Sequence, residues 1–371
     1  MKVVVIAGTR PEAIKVAPVV RELRKHPEIE TLLCNSGQHR EMINQTFADF
    51  NLIPDISLDV MEPGQSLASL SSKLFVAVDK VLEKENPDWV VVQGDTTTVM
   101  VSALCAFYRK IKIAHVEAGL RSYDKYAPFP EEVNRQVVTR VADMHFAPTR
   151  ASYANLIKEG ISPDACYVTG NTVIDSLMWV IDYLKDKKEY IDSRVQEALN
   201  NGKRVILITG HRRENFGSGF EEICKAVRKL ADNYEDCLFV YPVHLNPNVQ
   251  QPVKKFLGDH ERILLLTPLS YLHFQALLNV SYLVLTDSGG IQEEAPALNK
   301  PVLVMRDVTE RPEGVKAGCA KLVGAHSDLI VAGVSELLDN SELYTKMANA
   351  KNPYGHGHAS RRIVDAILAA S

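Results

Sequence analysis

Short runs of β-branched and aliphatic residues recur along this chain, at 3–7, 89–92, 111–116, 144–147, 205–209, 238–241, 263–266, 282–285 and 302–305. They alternate with longer segments that carry the 3.6-residue period of a helix. Strands that are apolar on successive residues are covered on both faces, and such strands alternating with helices build parallel, doubly wound α/β sheets. So many runs are more than one compact sheet carries, and 371 residues are more than one ordinary core needs. The polar stretch 183–202, which contains KDKKEY, separates two groups of runs. Two domains are therefore expected, residues 1–170 and 171–355. A C-terminal helix within 356–371, with Ile363, Ile367 and Leu368 at helical spacing, is expected to pack back on the first.

Several function classes drop out early. The net charge is −4 with acids and bases mixed throughout, so no basic surface for nucleic acid stands out. No run approaches the roughly 18 apolar residues that span a bilayer, and the N-terminal MKVVVIAGTRPEA lacks the core and cleavage site of a signal peptide. A cytoplasmic location is expected. The six cysteines form no Cys-x-x-Cys pair and read as buried reduced thiols. His356 and His358 have no nearby carboxylate or cysteine, so no metal site is expected.

Open α/β sheets bind ligands beyond the carboxyl ends of their strands, and the polar residues of this chain cluster there. After the first run comes Gly8-Thr9-Arg10-Pro11-Glu12 and then Lys15. Gly8 permits a tight turn and Pro11 suits a first helical position. Free N–H groups there, with Arg10 and Lys15, make an anion site, unless this is a surface loop with ordinary charges. Asp95 follows the second run, as a helix cap or as a chemical group. Glu117 ends a very apolar strand, with His115 on the same side, and either pairs with an arginine or does chemistry. Glu131 and Arg135 share a helical face, as a surface salt bridge or as an acid placed by a cation. In the second group, His211 follows a buried strand in a cationic loop, as a proton donor, a phosphate contact or a structural residue. Ser288-Gly289-Gly290 opens a helix and offers bare N–H groups to a diphosphate, with Glu294 a turn later for ribose hydroxyls; a plain glycine turn is the other reading. A further charged loop, 306–314, contains Arg311.

Taken together, the stretches GTRPEAIKVAPV, GQHREM, QGDTTTV, HVEAGLRS, FPEEVNRQ, VTGNTVIDSL, GHRRENFG, YPVHLNPNV, LTDSGGIQEEAP, PVLVMRDVTERPEG and NPYGHG resemble the non-hydrolysing UDP-N-acetylglucosamine 2-epimerases, in the family's order from Gly8 to Gly357. The resemblance implies the GT-B fold, two Rossmann-like domains with a ligand cleft between them. It implies a homodimer that interconverts UDP-N-acetylglucosamine (UDP-GlcNAc) and UDP-ManNAc without a cofactor and supplies UDP-ManNAc for surface polysaccharide. Asp95, Glu117 and Glu131 would be the catalytic carboxylates and His211 an active-site histidine. Arg10, Lys15, Arg135, Ser288, Gly289, Gly290, Glu294 and Arg311 would hold substrate, with Phe274 beside the uracil. Gln38 and His244 match a second, activating UDP-GlcNAc site in some members. The chain departs from some members at Leu269 and Glu41, where they carry Gln, and at Gly64, where they carry Arg.

The chemistry explains such a residue set. C2–H of a UDP-hexosamine is not acidic, and the chain has no dinucleotide fingerprint for transient oxidation. If the C1–O bond breaks first and UDP leaves, positive charge on C1 acidifies C2–H. A carboxylate then takes the proton to give a 2-acetamidoglucal, and reprotonation on the other face with UDP re-addition completes the inversion. The rivals are a GT-B glycosyltransferase, which needs an acceptor, a hydrolysing epimerase, which releases ManNAc, and a UDP-sugar sensor.

Overall fold

The computed structural model describes residues 1–37, 40–62 and 64–370. They form two compact units: Met1–Trp179 with the chain from Tyr354 onward, and Val180–Pro353. The division falls inside the helix Thr172–Tyr183 rather than at 170/171. The first turns of that helix belong to the first unit because Ser176 Oγ donates to the Ile14 carbonyl and Asp175 holds the last helix.

The first unit contains β1 (Lys2–Ala7), β2 (Glu30–Asn35), β3 (Ile56–Ser57), β4 (Trp89–Gln93), β5 (Lys112–Val116), β6 (Met144–Ala147) and β7 (Cys166–Val168). They form a parallel sheet in the order β3-β2-β1-β4-β5-β6-β7. Val3 to Ala7 and Val90 to Val92 are all buried, which is why these strands read as continuous apolar runs. The strands absent from the sequence reading, β2, β3 and β7, are mixed in composition, and β3 and β7 lie at the sheet edges. The last helix, Ala359–Ala369, is fixed by Asp175, which accepts from the N–H groups of Ala359 and Ser360 and from the Ser360 hydroxyl. These are the orphan donors of a helix start.

The second unit contains β8 (Arg204–Thr209), β9 (Cys237–Pro242), β10 (Ile263–Leu266), β11 (Leu283–Thr286), β12 (Val302–Val304) and β13 (Ala320–Leu322), parallel and ordered β10-β9-β8-β11-β12-β13. Ile206, Ile208, Phe239 and Leu285 pack on one face, and Val205, Leu207, Val240 and Val284 on the other. The polar stretch near 190 is not a bare spacer: its helix Ser193–Asn200 sends Val195 and Ala198 into that second layer.

Each sheet reverses strand order once beside its first strand, between β1 and β4 in the first unit and between β8 and β11 in the second. Connections on the two sides of such a point diverge and leave a crevice at the carboxyl ends.

Among the described residues, no helix is long and apolar enough to cross a membrane, and no group of three or more His, Cys, Asp or Glu side chains is arranged to hold a metal. All the cysteines are free and buried, and burial pushes the thiols of Cys34 and Cys224 up to about 12.

Candidate functional site

At the reversal point of the first unit the two turns stand side by side, and their geometry corrects the sequence reading of the first. Gly8 is needed for clearance: a Cβ there would lie 2.3 Å from Ser36 Oγ and 2.6 Å from Thr98 Oγ1. Thr9 and Glu12 form a capping box at the start of the helix Arg10–Leu23. Glu12 Oε2 accepts from the Gly8 and Thr9 N–H groups at 2.6 and 2.8 Å, and Glu12 Oε1 from the Thr96 hydroxyl. Three of the N–H groups expected to face an anion, those of Gly8, Thr9 and Glu12, are therefore satisfied from within. Burial pushes the Glu12 carboxyl above its usual range, and the hydrogen bonds from Thr96, Gly8 and Thr9 pull it back. Arg10 is half-buried and has no ion-pair partner among the described residues.

Lys15, expected to reach a phosphate, instead lies on Glu117, with Nζ 2.6 and 2.7 Å from the two carboxylate oxygens. Glu117 also accepts from Gln93 Nε2 and, at 3.4 Å, from Asn171 Nδ2. Its backbone is left-handed, φ 65°, and its side chain is buried. A β-carbon in that region is strained, and such conformations persist where the surroundings impose them. The turn after β5 thus aims a paired carboxylate at the strand ends.

Asp95 follows Gly94, whose φ of 85° suits glycine. Arg135 Nη2 lies 2.7 Å from Asp95 Oδ2 and Nη1 lies 3.4 Å from Glu132, so its partners are not Glu131. Glu131 opens the helix Glu131–Val141 and has no hydrogen-bond or ion-pair partner among the described residues. Burial pushes the Asp95 carboxyl above its usual range; Arg135 and Lys15 oppose this, while Glu117 and Glu131 add to it. Glu131 opens the helix that carries Arg135, the cation on Asp95. His115 is fully buried, its Nε2 2.8 Å from the Gly94 carbonyl, and burial lowers it to about 3. It braces the Asp95 turn as a neutral ring.

At the reversal point of the second unit, Asp287 plays the bridging part. It is fully buried, and Oδ2 accepts from the His211 and Arg212 N–H groups at 2.9 and 2.8 Å. His211 is itself exposed, its Nδ1 3.8 Å from Asp287 Oδ1, and its ring stacks on that of His244 at 5.2 Å. Partial desolvation by the surrounding loop lowers the His211 pKa although one face of the ring stays in solvent; Asp287 raises it, and His244 and Arg212 lower it further. Ser288 precedes the helix Gly289–Ala297 without a side-chain cap, so this helix start, unlike those at Thr9 and Thr96, lacks an internal acceptor from its own cap residue. Glu294 is buried and accepts from the Tyr271 hydroxyl at 3.2 Å. Arg311 Nε donates to Glu293. Phe274 is half-buried against the layer that contains Val205 and Leu278. Gln38 lies outside the described residues.

The pairings missed in the sequence are Glu12 with Thr96, Lys15 with Glu117, and Asp287 with the His211 loop. None of these had a local signal; the Thr9-x-x-Glu12 spacing of a capping box points only to the Thr9–Glu12 pair.

Known proteins resemble this chain over nearly its whole length. A family model described as UDP-N-acetylglucosamine 2-epimerase matches residues 21–368. The chain is 48% identical to the UDP-N-acetylglucosamine 2-epimerase of Escherichia coli K12 over 369 residues, 99% of this chain and 98% of that one. Among solved structures it matches the UDP-GlcNAc 2-epimerase of Neisseria meningitidis bound to UDP-GlcNAc, with TM-score 0.91, 47% identity and full coverage of both chains. It also matches Staphylococcus aureus MnaA in complex with UDP, with TM-score 0.87 and 47% identity, covering 100% of this chain and 96% of that one.

Proposed function

The chain belongs to the UDP-N-acetylglucosamine 2-epimerase family, and on that premise we propose that it interconverts UDP-GlcNAc and UDP-ManNAc by elimination and re-addition of UDP. The observation that carries this reading is the pair of acids after neighbouring strands of the first unit, Asp95 on Arg135 and Glu117 on Lys15, with Glu131 opening the helix that bears Arg135, since mere binding of an anionic ligand does not call for acids. The uncapped Ser288–Gly289–Gly290 helix start, with Arg311 and His211 of the same unit, receives the diphosphate; Glu294 takes the ribose and Phe274 lies by the uracil.

The C1–O bond breaks and the electron pair leaves with UDP. One carboxylate removes the C2 proton, the C1–C2 double bond forms, and 2-acetamidoglucal results. An acid on the opposite face returns a proton to C2, and UDP adds back at C1. Glu117 and Glu131 move the protons. Lys15, Gln93 and Asn171 fix Glu117, while Asp95, held by Arg135, orients the sugar.

The product supplies surface polysaccharide synthesis, and the enzyme works in the cytoplasm as a homodimer. The exposed Val76, Phe107 and Tyr108 of the first unit offer apolar surface for pairing. The stacking of His244 on His211 supports a part for His244 in sensing a second substrate molecule. UDP-GlcNAc alone, incubated with the protein in heavy water and followed by NMR, tests the reading. UDP-ManNAc with deuterium at C2 is expected. Free ManNAc would indicate the hydrolysing reaction, and turnover only with an added acceptor would indicate a glycosyltransferase.

A further inference from the structure

We propose that Glu12 is a positioning residue for this reaction: its carboxylate ties the turn after β1 to the turn after β4 and so keeps the Lys15–Glu117 pair and Asp95 in register. The proposal rests on the epimerase reading above. Glu12 is 2% exposed and is not placed to touch substrate. A capping box alone needs only the reciprocal bonds between Thr9 and Glu12. Here the same carboxylate also accepts from Gly8 N–H, on the strand side of the turn, and from the Thr96 hydroxyl, on a different turn. Burying a carboxylate is costly unless its lone pairs are filled, and these donors fill them from both sides of the reversal point.

The two turns belong to adjacent strands, with Ile6 opposite Val92. Lys15 lies on the helix that Glu12 caps, three residues on, and reaches Glu117. Thr96 directly follows Asp95, whose carboxylate is held by Arg135 and whose carbonyl accepts from Asn134 Nδ2 at 2.9 Å. A loosened Glu12 frees the Lys15 helix and the Asp95 turn to move independently. The tie between Ser36 Oγ and Thr98 Oγ1 at 3.2 Å joins β2 rather than β1 to the Asp95 helix, and that between His115 Nε2 and the Gly94 carbonyl at 2.8 Å joins β5 to the Asp95 turn.

The test compares Glu12→Ala, Glu12→Gln and Thr96→Val in the full chain, measuring kcat and KM with UDP-GlcNAc, the Kd of UDP by calorimetry, and Tm. Glu12→Ala is expected to lower kcat by about a hundredfold, the scale of an ångström of misplacement, while the Kd of UDP stays put. Glu12→Gln restores most of that loss, because its amide oxygen accepts from Gly8 and Thr9 and its NH2 donates to Thr96. Thr96→Val cuts the bridge and also the side-chain cap of the helix Thr97–Tyr108, so it lowers Tm modestly and lowers kcat by about tenfold, with the Kd of UDP unchanged. Wild-type kcat in Glu12→Ala or Thr96→Val overturns the proposal, as do losses that follow Tm alone. If Glu12→Ala does not fold, Thr96→Val decides. A wild-type protein that does not epimerise UDP-GlcNAc refutes the epimerase reading, and the positioning role with it; normal wild-type turnover with unaffected variants refutes only the positioning role.

Discussion

The two units solve one structural problem alike and then present opposite chemistry. At each reversal of strand order, one buried carboxylate stitches the neighbouring turns together: Glu12 takes the Gly8 and Thr9 N–H groups with the Thr96 hydroxyl, and Asp287 takes the His211 and Arg212 N–H groups. In the first unit the helix starts beside that stitch are capped from within by Thr9 and Thr96, and what faces outward is acid, Asp95, Glu117 and Glu131. In the second, Ser288 makes no side-chain cap, so an uncapped positive helix end faces outward with His211. The difference teaches that a doubly wound sheet becomes a chemical site or a grip according to whether its switch-point helix starts are satisfied internally.

The largest effect should come from breaking the acidic half. Glu117→Gln is expected to lower turnover by at least about a hundredfold, the usual contribution of a general base, while the Kd of UDP stays near wild type; a steady-state assay beside calorimetry checks both. Near-normal turnover would remove Glu117 from the proton chemistry.

Next comes the grip. Gly290→Asp places a negative charge at the uncapped start of the helix Gly289–Ala297, where UDP's diphosphate is expected. The Kd of UDP should rise by about tenfold, with Tm unchanged or slightly higher because an acid suits a helix start. Unaltered affinity would move the diphosphate elsewhere.

A smaller effect tests the stitch of the second unit. Asp287→Asn keeps an oxygen for the His211 and Arg212 N–H groups but removes the charge, at a cost of about 1 kcal/mol in denaturant unfolding. Asp287 raises the His211 pKa, while His244 and Arg212 lower it. Without that charge His211 should stay neutral to still lower pH, and the acidic limb of the turnover profile it controls should move down.

An effect on stability alone, with turnover at neutral pH untouched, separates the buried histidines of the first unit from exposed His211. His115 and His145 lie opposite each other on β5 and β6 and are lowered to about 3 and about 4, chiefly by burial. An unfolded chain protonates these rings near pH 6.5, before the folded one does, so their contribution to stability is complete above that pH and is lost as pH falls toward 4. His145→Phe should reduce the slope of unfolding free energy against pH in that window by up to about 1.4 kcal/mol per unit. An unchanged slope would mean that His145 is already charged in the folded protein.

The fold was legible because its central strands are covered on both faces, and Val3 to Ala7 or Val205 to Ile208 can belong to nothing else. The short strands Ile56–Ser57 and Ala320–Leu322 were not, because an edge position does not demand continuous apolar residues. The candidate site residues were legible by their position after strands. Their partners were not: Lys15 and Glu117 are 102 residues apart, and Asp95 and Arg135 are 40 apart. Those contacts follow from β1, β4 and β5 being neighbours, an order set by the whole sheet and by no local spacing. Hence Lys15 looked like a phosphate ligand and Arg135 like the partner of Glu131 four residues away.

Calorimetric titration of UDP into wild type and into the Asp95→Asn, Glu117→Gln, Glu131→Gln triple variant, with C2 deuterium incorporation followed in parallel, tests the division of labour between the units most directly. The account predicts matching Kd values and loss of detectable deuterium exchange in the variant. A Kd weakened by more than about tenfold, or exchange that persists, would contradict it.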